Sequence, residues 1–171
     1  MTMKKITIIA IIMAIITCGA LFGEDTIEIA EVKAFNIDPL HPVTGAFDGS
    51  AATYASFKTD APEASIEVCF PGPSLVGGME IDFTTLTQPD VFIEYKEEGR
   101  YYPFISSFRY GMQNGKSLID LSYDTIVTDT IRIRFLGKPA LQGDLHEINV
   151  LGKPSFTREV KIHPAGVTGN I

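Results

Sequence analysis

The chain has 171 residues, 45% of them hydrophobic, and 21 acidic against 14 basic side chains give a formal net charge of −7. That length accommodates one domain with a proper core. An acidic balance without a clustered basic stretch excludes nucleic acid and an anionic lipid surface as partners, because both require a basic patch.

Much of the apolar surplus lies at the start. Lys4 and Lys5 precede an apolar run from Ile6 to Thr17, and small residues follow at Cys18, Gly19, Ala20 and Gly23. A basic start, an apolar stretch and a small-residue exit form the pattern of a secretory signal peptide over residues 1–23. The run is shorter than the roughly 20 residues of a bilayer span. Two processing routes fit. Cleavage after Ala20 or Gly23 releases a soluble protein, whereas Ile15-Ile16-Thr17-Cys18 loosely resembles a lipoprotein box in which Cys18 would be lipidated. Thr17 stands where Gly, Ala or Ser is usual, which favours the soluble route. The expected location is the periplasm, the cell surface or the extracellular space, with membrane contact only through the signal peptide or Cys18. Removing residues 1–23 takes two lysines and no acid, so the charge deepens to −9. Cys69 then stands alone, which leaves no intramolecular disulfide and reads as a half-covered structural thiol.

Period-two alternation dominates the rest, and no amphipathic helix is predicted. Ile27, Ile29 and Val32 to Phe35 predict one or two opening strands. Ile66, Val68 and Phe70 give a second, and Met79, Ile81 and Phe83 a third, with Gly72-Pro-Ser74-Leu-Val-Gly77 between them. Val91, Ile93 and Tyr95 follow, and after the Glu98-Gly99 turn the chain returns over Tyr102 to Ile105. Asn114-Gly115 predicts a hairpin turn. Ile119 and Leu121 come next, then Ile131, Ile133 and Phe135, with Arg132 and Arg134 as a solvated face, and Ile148 with Val150 closes the set. Short strands separated by Gly, Pro and Asn turns predict an all-β sandwich or jelly roll. The expected organisation is one domain over residues 24–152 and a tail over 153–171, in which Phe156 to Ile162 could add an edge strand.

Catalytic motifs are absent from the sequence. His41, His146 and His163 have no zinc-ligand spacing and read as surface or loop residues, and no nucleophile elbow, P-loop or dinucleotide fingerprint occurs. Carboxylates are plentiful, so counting does not exclude a glycosidase-type pair, but no base or nucleophile arrangement is visible and a non-catalytic protein is expected. One segment stands out, Gly45-Ala46-Phe47-Asp48-Gly49-Ser50-Ala-Ala-Thr53-Tyr54. An Asp-Gly turn followed by Thr is suited to wrapping carbonyls, a carboxylate and a hydroxyl around a hard cation such as calcium; equally, such turns are common as purely structural features.

In chain order, these pieces resemble the discoidin family, the coagulation factor V/VIII type C domains of the galactose-binding-like fold. Pro42 to Tyr54 is similar to the family's early A-F-D-G-D-x-x-T-x-W turn. Ala64 to Phe70 with Leu75 to Ile81 is similar to its central strand pair, and Phe92 to Tyr95 with Glu98 to Tyr102 to its Y-x-V-E-Y-S-x-D-G-x-x-W segment, Tyr102 taking the tryptophan's place. Thr128 to Phe135 resembles T-x-x-I-R-I-x-F, and Leu145 to Gly152 the closing L-x-E-I-x-V-x-G. The resemblance spans residues 42–152. It implies an eight-stranded antiparallel jelly-roll β-sandwich with one structural calcium ion, held by Asp48, Thr53 and Glu147 with backbone oxygens of Ala46 and Ser50. Two departures stand out: Ser50 replaces the family's usual Asp, and the chain has no Trp. Sugar-binding members stack a pyranose on a loop aromatic, a role open here to Tyr54, Phe57, Tyr110 and Tyr123, with Arg109 as a polar partner. The resemblance implies a carbohydrate-binding module; the alternatives are an adhesion or assembly module bound to an envelope protein and, behind both, a small hydrolase.

Overall fold

The computed structural model describes residues 25–85, 88–105 and 114–154. Residues 1–24, with the expected signal peptide and Cys18, lie outside the described residues, as do Arg109, Tyr110, His163 and the tail beyond Pro154.

Among the described residues the regular structure is all β, apart from a 3-10 turn over Val43–Ala46. The strands are β1 (Asp25–Thr26), β2 (Glu31–Phe35), β3 (Ala55–Ser56), β4 (Glu63–Thr85), β5 (Asp90–Glu97), β6 (Arg100–Pro103), β7 (Gly115–Asp120), β8 (Val127–Leu136) and β9 (Gly143–Pro154). The described residues form nine strands, two of them only two residues long, where the family pattern implies eight.

β4 organises the rest. Its first half pairs with β2 and β8, and its second half pairs with β7 and β9, always antiparallel. Between the halves the register against β8 jumps from Cys69 to Ser74, so Pro71-Gly72-Pro73 is the corner where one sheet becomes the other. This corrects the expectation of two strands with a glycine-rich connection: a proline is tolerated where no ladder N–H is needed, and a bulged corner is such a place. The two ends of β4 return to one end of the molecule. Leu141 N–H donates to Ala61 O just before the strand starts, and Thr85 Oγ1 donates to Gln142 O where it finishes. One sheet is therefore β2-β4-β8-β5-β6, and the other is β7-β4-β9, with β1 and β3 on opposite ends of β9.

Burial follows the pleat. Ile66, Val68, Ile93, Ile131, Ile133 and Phe135 of the first sheet and Met79, Ile81, Phe83, Leu145, Ile148 and Val150 of the second form one buried cluster. The outward residues of the first sheet are tied across strands. Glu94, only 9% exposed, accepts from Arg132 Nε at 2.6 Å and Arg134 Nη1 at 3.3 Å, while the Arg132 guanidinium lies 3.7 Å from the Tyr101 ring centroid. Arg132 and Arg134 are thus half-buried partners of a buried carboxylate rather than a free solvated face. Cys69 sits half-buried on the same face, and its thiol is free.

Asn114 stands at the start of β7, which pairs with β4, and its Oδ1 caps the end of β4 by accepting from Thr85 N–H at 2.7 Å; the chain that a hairpin turn here would join to β7 lies outside the described residues.

Candidate functional site

The connection from β2 to β3 carries the residues picked out by the sequence. Gly45 lies against the Tyr54 backbone so closely that a Cβ would come within 2.6 Å of Tyr54 O, which pins the two ends of the turn together. Within the turn, Gly49 adopts φ +70, a conformation glycine takes without strain. Asp48 Oδ1 accepts from Ser50 N–H at 3.0 Å, and Thr53 Oγ1 lies 2.8 and 2.9 Å from the two Asp48 oxygens and 2.9 Å from Ser50 O. A carboxylate, a carbonyl and a hydroxyl are thereby gathered around one point, while Ala46 is buried at the end of the 3-10 turn.

β9 brings the remaining groups. Asp82 pairs with Glu147 and Phe83 with Leu145, so His146 is an extra residue in the ladder. Such a bulge breaks the alternation: Leu145 and Ile148 are buried, while His146 and Glu147 between them are both partly exposed. Glu147 therefore meets Asp82 across the ladder and comes close enough to Asp48 to feel its charge. Its carboxyl is held above the ordinary range, first by burial, then by repulsion from Asp48 and Asp82, with Lys116 opposing. Gly49, Ala51, Asp82, Lys116, His146 and Glu147 line an open hollow of about 280 Å³ beside the turn. Among the described residues no three His, Cys, Asp or Glu side chains converge as a metal site. A cation here would depend on Thr53 and main-chain oxygens, which are the hard donors calcium accepts.

Tyr54 stands next to this set. The His41 ring is stacked on it at 4.5 Å and 17°, and the His146 ring is tilted against it at 6.0 Å. His146 Nε2 also lies 3.1 Å from Thr84 Oγ1. The sequence reading placed His41 and His146 as unrelated loop residues, so this cluster is its main omission. The spacing of Leu145 and Ile148, three apart within a strand, was the available signal for the bulge; nothing in the sequence signals that His41 folds back onto Tyr54.

The remaining expected ligand residues are dispersed. Phe57 is 6% exposed and packs on Phe135 at 5.1 Å between ring centroids, so it belongs to the core and offers no platform. Tyr123 is 75% exposed, but on the β7–β8 connection at the opposite end of the sandwich. Tyr102 is stacked on Tyr95 on the first sheet.

No family model matches the sequence, and no curated protein matches it. Solved structures do match. The family 32 CBM from Clostridium perfringens NanJ, in complex with galactose, superposes at TM-score 0.57 over 71% of this chain and 92% of that one, at 18% identity. Chitosan-binding module 1 from a Paenibacillus sp. IK-5 chitosanase/glucanase gives 0.60 over 74% and 97%, at 15% identity. The chain has the discoidin, galactose-binding-like fold. A third neighbour is C. perfringens GH89 with GlcNAc-α-1,4-galactose, at TM-score 0.57 and 21% identity; the match covers 73% of this chain but 14% of that one. In that case the fold is a small part of a much larger chain.

Proposed function

We propose that this chain is an exported, non-catalytic module that binds carbohydrate at the Tyr54 end, beside a structural calcium ion. The observation that carries the reading is the aromatic cluster of Tyr54, His41 and His146 set against the Asp48–Thr53 oxygens and Glu147, on a fold whose neighbours include a module in complex with galactose. Tyr54 supplies a ring for the apolar face of a pyranose. The imidazoles of His41 and His146, with Thr84, supply donors and acceptors for its hydroxyls. Calcium held by Asp48, Thr53 and Glu147, with carbonyls of Ala46 and Ser50, would stiffen the loop that presents Tyr54 and neutralise the carboxylates beneath it. The apolar start of the sequence fits export of such a module.

The test is a glycan array with segment 24–171, in calcium and in chelator, alongside Tyr54→Ala. We expect selective binding to a few related glycans, at least about tenfold weaker in Tyr54→Ala, since losing one stacking contact removes about 1.5 kcal/mol. A blank array from folded protein would overturn the reading and favour an envelope-protein partner.

A further inference from the structure

The outward face of the β7-β4-β9 sheet continues beyond the loop-end site, which uses only its Glu147 end. Pairing register places its side chains in three rows: Asp82 between Lys116 and Glu147, Glu80 between Leu118 and Asn149, and Gly78 between Asp120 and Leu151. The alternate residues Met79, Ile81, Ile119, Ile148 and Val150 are buried, so all three rows look away from the core. The first row opens into the hollow beside Asp48 already described. At the third row lies a second hollow of about 270 Å³, because Gly77 and Gly78 contribute no side chains between Leu118, Asp120 and Leu151. A second irregularity of register, between Val76 and Gly78, puts the two glycines side by side at its floor. Four residues of strand separate the hollows, about 13 Å at 3.3 Å per residue, which one sugar ring does not span. The ridge between them is low and amphipathic, with Leu118 60% exposed and the Asn149 amide on the other side.

Charge narrows the occupant. Asp82, Glu147 and Asp120 face the two hollows, and among the described residues Lys116 is their one lysine or arginine. Lys116 Nζ is itself held 2.7 Å from Glu80 Oε2. Outside the proposed calcium set, a polyanion would meet Asp82 and Asp120 with Lys116 already engaged by Glu80, whereas hydroxyls and protonated amines find acceptors.

We propose that this sheet face is an extended saccharide cleft, running along β4 from the Glu147 hollow to the Gly78 hollow, which takes an unbranched oligosaccharide that is neutral or carries protonated amines. The inference rests on the carbohydrate-binding reading above and adds the chain length and charge of the ligand. Aliphatic Leu118 and Leu151 meet the apolar faces of successive rings, while Asn149 and Asp120 take their hydroxyls or amines.

Calorimetry of the exported chain with glucosamine and N-acetylglucosamine oligomers, mono- to tetrasaccharide, and with galacturonic acid oligomers tests this. Affinity should rise at least about tenfold from mono- to tetrasaccharide in one of the first two series, a gain of about 1.4 kcal/mol, and the anionic series should not bind. Leu118→Arg and, separately, Asn149→Arg should return the tetrasaccharide to monosaccharide affinity while the melting temperature holds, because both side chains point outward. If chain length brings no gain, or the gain survives both substitutions, the sheet-face cleft is wrong while the loop-end site stands. Tight binding of the galacturonic acid tetramer would overturn the charge assignment. If no saccharide of any length binds, here or on the array, the carbohydrate reading falls and this inference with it.

Discussion

Glu147 is the residue whose chemistry depends most on what surrounds it. Burial and the carboxylates of Asp48 and Asp82 raise its pKa in the folded chain. Ionising it therefore costs stability: the penalty is absent below the unfolded value, near 4.3, and complete above the raised folded value. In chelator at neutral pH, Glu147→Gln should melt higher than wild type, and the difference should vanish as pH falls through the carboxylate range. Calcium should reverse the order at neutral pH, because a cation bound only by the folded wild type stabilises it by mass action. Paired thermal melts with calcium and with chelator, at two pH values, measure both effects; a variant less stable than wild type in chelator at neutral pH would sink the account. Glu94 serves the packing of the first sheet. Its carboxylate is almost fully covered and holds Arg132 and Arg134 in place. Glu94→Ala leaves both guanidinium groups half-buried without it, at a cost of about 2–3 kcal/mol, read as a lower midpoint in urea.

At the scale of elements, alternation made the strands legible, and it failed where the ladders are irregular. Pro71-Gly72-Pro73 reads as a loop because two prolines remove ladder donors, yet β8 pairs with β4 on both sides of it. The pairing of β7 with β4 is not legible around Asn114-Gly115, because turn chemistry is local and the choice of a partner strand is not. The closed turn from Asp48 to Thr53 was legible because its contacts lie within five residues, while the stacking of His41 on Tyr54 depends on how a long loop closes. The bulge in β9 offers a direct test of this kind of reasoning. Deleting His146 removes the extra residue and leaves Leu145 inward, Glu147 outward and Ile148 inward, so the core pattern survives. Deleting Asn149 instead would put Val150 on the outer face, since a one-residue slip reverses every following side chain. We expect the His146 deletion to unfold cooperatively with a modest loss of stability and to have lost glycan binding, and the Asn149 deletion to fail to fold. Circular-dichroism melts of the two would decide it; equal damage from both deletions would mean that His146 is not the bulged residue.

Across the whole molecule, the described chain ends and the Tyr54 cluster sit at opposite ends. Asp25 and Pro154 both border the hollow at Pro71–Ser74, whereas Tyr54 and the Asp48–Thr53 turn before it lie where Gly143 begins β9. The ladder of β9 between those ends runs from Gly143 to Pro154, about 35 Å at 3.3 Å per residue. Only six residues separate Cys18 from Asp25, about 20 Å of extended chain. A lipid on Cys18 would thus hold the β1 end near the bilayer and leave the Tyr54 end facing away from it. Biosensor capture of the chain through a tag placed before Glu24 should therefore give the glycan affinity of the protein in solution within about twofold. Capture through a cysteine introduced at Ala51, with Cys69 replaced by Ser, should abolish binding while the melting temperature holds, because Ala51 borders the Glu147 hollow and is exposed. Full binding by protein tethered at Ala51 would show that the ligand is read from the other end, where Tyr123 stands exposed.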